Sequence, residues 1–94
     1  MTGDERQLGD LVSIGPAMLR DLELLGVHTV AQLARRDPEK MYEELCQVTR
    51  QTQDICCLDV FRAAVAQAKD PNLPLEQRQW WHWSHKRKAI DAGR

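Results

Sequence analysis

The sequence predicts an all-α fold built as one domain. Apolar residues recur at intervals of three and four along most of the chain, which is the spacing of helical faces. Alternating strand patterns are absent, and β-branched residues are sparse. The 94 residues suffice for one hydrophobic core. We therefore expect a single five-helix domain over residues 1–94, with a basic C-terminal tail at about 84–94.

The first two predicted helices flank a short Ser-Ile-Gly-Pro break. The first helix covers roughly Glu5–Val12. The second starts after Gly15, with Pro16 at its first position, where a missing N–H costs nothing. Gly26 ends it, because glycine takes a left-handed backbone without strain. The apolar positions that we expect to face the core are Leu8, Leu11, Val12, Leu19, Leu22 and Leu25.

The next three predicted helices begin at side chains that cap helices well. Thr29, Asp37 and Asp54 each precede an apolar segment and can accept hydrogen bonds from its first amides. The last of these helices ends at the Asp-Pro-Asn-Leu-Pro stretch, because proline cannot continue a helix. The expected inward-facing residues are Val30, Leu33, Met41, Leu45, Val48, Ile55, Leu58, Phe61, Val65 and Ala68.

The segment LEQRQWWHWSHKRKAIDAGR contains three tryptophans within four residues. We expect its aromatic part to fold back on the helices and its end to be frayed. Trp80 and Trp83, three residues apart, are expected to be core anchors. The alternative is that a tryptophan stacks on a nucleic-acid base while Lys86, Arg87 and Lys88 contact phosphates.

Charge is divided unevenly along the chain, whose formal net charge is −1. Residues 1–47 contain 5 basic and 9 acidic residues, a net −4, whereas residues 48–94 contain 8 basic and 5 acidic residues, a net +3. An anion-binding face that depends on charge should therefore draw on the second half. Asp59 and Arg62, one helical turn apart, are expected to pair with each other.

Several function classes lack their sequence signals. No apolar run is long enough for a membrane span, and the first residues do not have the pattern of a signal peptide. The glycine patterns of P-loops and dinucleotide sites are absent. Three cysteines, an odd number, argue against a disulfide framework and favour a reducing compartment. We expect a cytoplasmic, non-catalytic protein without a cofactor.

Cysteine and histidine residues raise a zinc hypothesis. His82 and His85 have His-x-x-His spacing, and thiolates with imidazoles suit zinc. Cys56 and Cys57, however, are adjacent on a predicted helix, about 100° apart around its axis, so both reach one ion only with difficulty. The simpler interpretation is that these cysteines and Cys46 are small apolar residues, and we expect no metal site.

The Ser-Ile-Gly-Pro break offers a backbone site for an anion. The first N–H groups of a helix lack intrahelical partners, and the helix dipole adds positive potential there. Here the donors are the amides of Gly15, Ala17 and Met18, since Pro16 has none. Such a loop contacts phosphates rather than bases, so binding is expected to be independent of sequence and sensitive to salt.

The stretch SIGPAMLRDL resembles the hairpin and second helix of the helix-hairpin-helix family, and LGVHTVAQLA is similar to the continuation in several such modules. Two positions depart from the family pattern. Ser13 stands where the family has its first glycine, before the hydrophobic Ile14, and Ala17 stands where the family often has a lysine. The resemblance implies a helix-hairpin-helix or SAM-like all-α domain, similar to auxiliary domains of repair and recombination proteins.

The resemblance extends along most of the chain. The stretch LCQVTRQTQDICCLDVFRAAV, a proline-rich link and WWHW together resemble the small bacterial pathogenicity locus (Cdd1) family, over about residues 8–83. Relatives of that family are sometimes labelled mitomycin resistance proteins. The family implies the same all-α domain and no established activity.

Two hypotheses of function follow. The first is a sequence-independent DNA-binding module that contacts the phosphate backbone at the hairpin, with a second contact at the loop around Arg50. We expect such a module to bind with a Kd of about 10⁻⁴ to 10⁻⁶ M. The alternative is a SAM-like domain that binds a protein partner or a second copy without nucleic acid. The residues expected to contact nucleic acid are Ser13, Ile14, Gly15, Ala17, Met18, Arg20, Arg50, Lys86, Arg87 and Lys88.

Overall fold

The structure is a computed structural model that describes residues 6–92. These residues form five α-helices and two short 3-10 helices without any strand, which confirms the predicted fold class. None of the described helices combines the length and apolar character needed to cross a bilayer. The elements in chain order are a first 3-10 helix (Leu8–Asp10), α1 (Pro16–Leu24), α2 (Val30–Ala34), α3 (Pro38–Thr49), α4 (Ile55–Lys69), a second 3-10 helix (Leu75–Arg78) and α5 (Trp80–Ala92).

Helix α4 lies at the centre of the domain and packs against α2, α3, α5 and the second 3-10 helix. Ala63 and Ala64 are fully buried, and their small side chains allow neighbouring helices to approach closely. Phe61 is the largest fully buried side chain. The predicted core residues that the structure confirms as buried are Leu8, Leu11, Leu22, Leu25, Val30, Leu33, Met41, Leu45, Leu58, Phe61, Val65 and Ala68.

Three residues that were predicted to face the core are exposed instead. Leu19, Val48 and Ile55 expose 36%, 53% and 42% of their surface. Met18 packs against the core where Leu19 was expected. Val48 and Ile55 lie in the terminal turns of α3 and α4, where the helical face continues beyond the surface that neighbouring helices cover.

The predicted helix boundaries are confirmed by their hydrogen bonds. Thr29 accepts one from the third residue of α2 at 3.0 Å. Asp37 and Asp54 each accept one from the second residue of their helix, both at 2.9 Å. Gly26 ends α1 with a φ of 75°. These local signals set the helix ends, because each satisfies groups that the helix itself leaves unpaired.

The first predicted helix is wrong. In place of a helix over Glu5–Val12, the structure has only the first 3-10 helix, and Glu5 lies outside the described residues. Gly9 in its middle is a poor helix former. The Asp10 carboxylate also accepts a hydrogen bond from the Gln7 amide at 2.8 Å, which closes a short turn instead of a longer helix.

Gln67 of α4 holds the backbone of Val12 by a pair of hydrogen bonds, which we call the Gln67 clamp. The Val12 N–H donates to Gln67 Oε1 at 2.8 Å, and Gln67 Nε2 donates to the Val12 carbonyl at 2.9 Å. The same Nε2 lies 3.4 Å from the Arg78 carbonyl. Gln67 is only 3% exposed. One buried amide therefore fastens both the chain before α1 and the second 3-10 helix to the central helix.

The residues of the predicted basic tail form the larger, C-terminal part of helix α5 rather than a tail. The described part of this segment is helical and packs on α4, whereas Gly93 and Arg94 lie outside the described residues. Ser84 is buried against the domain. Arg87 forms a bidentate ion pair with the fully buried Asp59, with nitrogen–oxygen distances between 3.0 and 3.3 Å. This pair docks α5, because a buried carboxylate needs a hydrogen-bonded cation.

The predicted pair between Asp59 and Arg62 is also wrong. Asp59 turns inward to Arg87, while Arg62 bonds the Glu39 carboxylate of α3 at 3.2 Å. Contacts between helices therefore replace the contact within one helix. The reason is that the interior position of Asp59 requires two aligned donors, which a neighbouring helix supplies.

Replacing Gln67 with alanine should lower the free energy of unfolding by about 3 kcal/mol, since it leaves both Val12 backbone groups unpaired and opens a small cavity. Chemical unfolding followed by circular dichroism measures the change. Gln47→Ala, at an exposed position of α3, is the matched control, with an expected change below about 0.5 kcal/mol. Equal effects of the two substitutions would contradict the role of the clamp.

Candidate anion-binding site

The Ser13 turn, residues 12–15, connects the Gln67 clamp to α1. Ser13 has a φ of 72°, in the left-handed region that glycine usually occupies. Ile14, which follows it, is buried in the hydrophobic core. The turn is therefore held on one side by the clamp on Val12 and on the other by the Ile14 side chain.

The N-terminus of α1 is open to solvent. Gly15 is its N-cap residue, and Pro16 stands at the first helical position. Within the described residues, no group accepts a hydrogen bond from the amides of Gly15, Ala17 or Met18. Gly15 and Ala17 are exposed, and a Cβ placed on Gly15 would meet nothing within 4 Å. Three N–H groups are therefore available to an anion.

The starts of the neighbouring helices differ from that of α1. Thr29, Asp37 and Asp54 cap α2, α3 and α4 with their own side chains. Two of these caps are carboxylates, which place negative charge where an external anion would sit. Among α1 to α4, α1 is the one whose first turn has no side-chain cap.

The first turn of α1 itself carries no charged side chain. Ala17 is exposed and uncharged, and Met18 packs partly against the core. Arg20 is exposed, one turn along α1. Burial raises the pKa of the adjacent Asp21 above its ordinary value, while the charge of Arg20 acts to lower it. Within α1, the positive potential at this site therefore comes from the backbone amides and from Arg20.

Arg50 lies in a different loop, between α3 and α4. It follows α3 with a φ of 56°, and the Gln51 amide closes the helix end by donating to the Cys46 carbonyl at 3.1 Å. At the start of α4, the hydrogen bond from the Cys56 amide lowers the pKa of Asp54. This loop therefore offers an exposed arginine but no vacant helix start.

The predicted basic residues of α5 do not form one cluster. Arg87 is engaged by Asp59 and faces α4. The Lys86 ammonium lies 5.1 Å from the centroid of the Trp83 ring, and Lys88 is exposed. Lys86 and Lys88 can contribute to a field around α5, whereas the Arg87 charge is already neutralised by its partner.

A backbone hydrogen bond at Trp80 places the start of α5 next to the Ser13 turn. The backbone N–H of Trp80 donates to Ser13 Oγ at 3.3 Å. Trp80 and Trp81 are 38% and 40% exposed, so the expectation that Trp80 is a core anchor is wrong. Trp83 is half-buried, and its indole Nε1 donates to the Gln77 carbonyl at 2.9 Å. The start of α5, which carries two partly exposed tryptophans, therefore lies next to the Ser13 turn.

The cysteines carry free, half-buried thiols. Burial raises the pKa of Cys57 to about 12, so this thiol stays protonated at neutral pH. A hydrogen bond with Asp54 raises the pKa of Cys56 as well. Across residues 6–92, no group of three or more His, Cys, Asp or Glu side chains is placed to hold a metal ion.

Two buried polar residues position the site. Gln67 was not predicted from the sequence, and Asp59 was predicted with the wrong partner, Arg62. Gln67 holds the Ser13 turn, and Asp59 holds α5. A usable signal exists, because each interrupts the largely apolar sequence of α4. A polar side chain on the buried face of a helix needs a partner, although the sequence does not say which one.

Comparison with known proteins identifies the family. The sequence model of the pathogenicity locus (Cdd1) family matches residues 3–89, and the chain belongs to this family. The chain is also 37% identical over 92 residues to mitomycin resistance protein McrB of Streptomyces lavendulae, an alignment that covers 98% of this chain and 84% of the relative. No solved structure matches the chain. The resemblance to the Cdd1 family drawn from the sequence is thus confirmed.

Asp59→Ala should lower the free energy of unfolding by about 3 kcal/mol, because it leaves the largely buried Arg87 charge without its carboxylate. The double variant Asp59→Leu with Arg87→Met should recover most of that loss, since an apolar pair of similar size needs no compensating charge. Chemical unfolding of both variants measures the difference. If the double variant is no more stable than the single one, the ion pair does not dock α5 in this way.

Arg50→Gly should raise the free energy of unfolding by about 1 kcal/mol, because glycine adopts a positive φ without steric cost. Thermal unfolding measures the change. Arg35→Gly is the matched control, because Arg35 ends α2 with a φ of −95° and glycine relieves nothing there. A lower melting temperature for Arg50→Gly would be inconsistent with the left-handed conformation.

Proposed function

We propose that the protein is a non-catalytic module that binds the phosphate backbone of DNA without sequence preference, through a helix-hairpin-helix contact at the Ser13 turn. The observation that carries this proposal is the uncapped start of α1. The amides of Gly15, Ala17 and Met18 are unpartnered, and the space over Gly15 is open. Phosphate oxygens accept hydrogen bonds from such amides, and the contact reads no base edges.

The conformation of the Ser13 turn supports the helix-hairpin-helix assignment. Ser13 takes the left-handed backbone that the first glycine of that motif would take, and Ile14 anchors the turn in the core. Gly15 leaves room for an anion to approach the backbone. The element before the turn is a 3-10 helix, and the Gln67 clamp supplies the fixation that a longer first helix would otherwise provide.

The charge distribution favours weak, salt-sensitive binding. Arg20 is the cation nearest in sequence to the α1 amides, and Arg50, Lys86 and Lys88 add exposed positive charge elsewhere on the domain. We leave Arg87 out of the interface, because Asp59 occupies its guanidinium. With so few phosphate contacts, we expect a Kd of about 10⁻⁴ to 10⁻⁶ M, which weakens steeply as salt is added.

A binding role without catalysis also fits the cysteines and the expected compartment. A Cys57 thiol that stays protonated at neutral pH is a poor nucleophile. Three free thiols suit a reducing cytoplasm. We place the module among auxiliary DNA-binding domains, with repair or recombination as the process. Because a relative is named for mitomycin resistance, survival of cells exposed to mitomycin is a second assay for this chain.

A protein-interaction role is the second candidate function. Several large apolar side chains are more than half exposed, which a partner protein or a second copy could cover. They lie on four different helical elements and do not by themselves define one patch. These residues are Leu24, Val48, Leu75 and Ile90. A complete absence of DNA binding at low salt would favour this candidate over the first.

Gly15→Asp should weaken DNA binding at least about tenfold without lowering the melting temperature. The new carboxylate would cap α1 as Asp54 caps α4, and it would occupy the amides that the phosphate needs. Fluorescence anisotropy with a labelled duplex at low salt measures the affinity, and circular dichroism measures stability.

Gly15→Ala is the matched control for that substitution. Alanine fits the open space over Gly15 and has no carboxylate, so its affinity should stay within about twofold of the parent protein. Equal DNA affinity of the Asp and Ala variants would contradict the proposed phosphate contact, because only the Asp side chain competes for the amides.

A further inference from the structure

Two partly exposed tryptophans begin α5, whose first turn lies next to the Ser13 turn. The hydrogen bond from the Trp80 amide to Ser13 Oγ places the first turn of α5 next to that turn. Trp80 and Trp81 leave 38% and 40% of their surface in solvent. Indole rings are among the side chains whose burial stabilises a domain most, so two neighbouring rings left partly in solvent are candidates for contact with a ligand.

Trp83 has a different role from its two neighbours. Its Nε1 is fixed by the Gln77 carbonyl, and the Lys86 ammonium lies over its ring. Trp81, by contrast, has an exposed indole whose ring neighbour is His85, at 5.9 Å between centroids and tilted by 53°. We therefore define the Trp80–Trp81 surface as the exposed indoles of Trp80 and Trp81, without Trp83.

Helix α5 carries a net positive charge. It contains three basic residues, Lys86, Arg87 and Lys88, and one acidic residue, Asp91. The acidic side chain that faces α5 from α4, Asp59, is paired with Arg87. Lys86 and Lys88 are exposed on the same helix. A ligand that complements this surface therefore carries negative charge together with flat aromatic groups.

We propose that the Trp80–Trp81 surface stacks against unpaired bases, so that the protein binds single-stranded nucleic acid in preference to duplex. This inference rests on the proposed function for its phosphate contact and adds a contact to the bases. A phosphate on the Gly15 amides and a base on Trp80 or Trp81 would belong to one strand that crosses from the Ser13 turn to α5. In a duplex the base faces are already stacked on each other and cannot reach an indole.

The test uses the full chain and its intrinsic fluorescence. All three tryptophans lie in α5, so quenching reports directly on this segment. The probes are an oligothymidylate of about 12 nucleotides, an abasic oligomer with the same phosphates, and a duplex of the same length. The proposal predicts that oligothymidylate binds at least about fivefold tighter than the abasic oligomer.

Variants separate stacking from phosphate binding. Replacing both Trp80 and Trp81 with alanine should reduce oligothymidylate affinity to the level of the abasic oligomer and leave abasic binding unchanged. Replacing both with phenylalanine should retain most of the affinity, because a phenyl ring still stacks. Ile90→Ala removes an exposed apolar side chain from the same helix and should change nothing. Gly15→Asp should weaken the binding of all three probes, since each of them carries phosphates.

The outcomes separate failure of the stacking proposal from failure of the proposed function. Equal affinities for oligothymidylate and the abasic oligomer, or equal effects of the double alanine variant of Trp80 and Trp81 and of Ile90→Ala, would overturn the stacking proposal. If Gly15→Asp still weakens the binding of every probe in that case, the proposed function stands. If Gly15→Asp leaves the affinity for all three probes unchanged, the proposed function fails instead. Fluorescence that changes with protein concentration alone, without oligonucleotide, would assign the surface to a second copy and overturn the proposal.

Discussion

The hydrogen bonds between Gln67 and the backbone of Val12 are the contact on which the site depends. They join residues 55 positions apart and are sheltered from solvent. A loop this close to a helix start would otherwise be free to sample many conformations, at the entropic cost that folding must overcome. With Val12 fixed and Ile14 in the core, Ser13 is held in a left-handed conformation, and the first amides of α1 point outward.

The central helix organises the domain through two polar residues on its buried surface. Gln67, near the C-terminal end of α4, positions the Ser13 turn, whereas Asp59, two turns earlier, positions α5 through Arg87. Because both contacts originate from one rigid helix, the open start of α1 and the exposed tryptophans have a fixed relation, which the hydrogen bond from Trp80 to Ser13 completes. In our proposal, these two surfaces act as one binding face.

The predictable part of the structure is the part that short-range chemistry determines. Capping by Asp37 and Asp54 and the stop at Gly26 depend on residues within one helical turn, and all of them are confirmed. Contacts between distant segments could not be predicted in the same way. The Ser13 turn is held by a glutamine far along the chain, and the expected tail is a docked helix because Arg87 finds a carboxylate 28 residues earlier. A single sequence shows that a buried polar residue needs a partner but does not identify it.

The most direct test of the account is an amide proton–nitrogen correlation spectrum of the full chain during titration with oligothymidylate at low salt. We expect the resonances of Gly15, Ala17 and Met18 to shift first, because their N–H groups are unoccupied. The Cys56 amide, already bonded to Asp54, should remain in place as an internal reference. Unchanged Gly15, Ala17 and Met18 resonances under conditions where other amides shift would contradict the central claim that the start of α1 is the anion site.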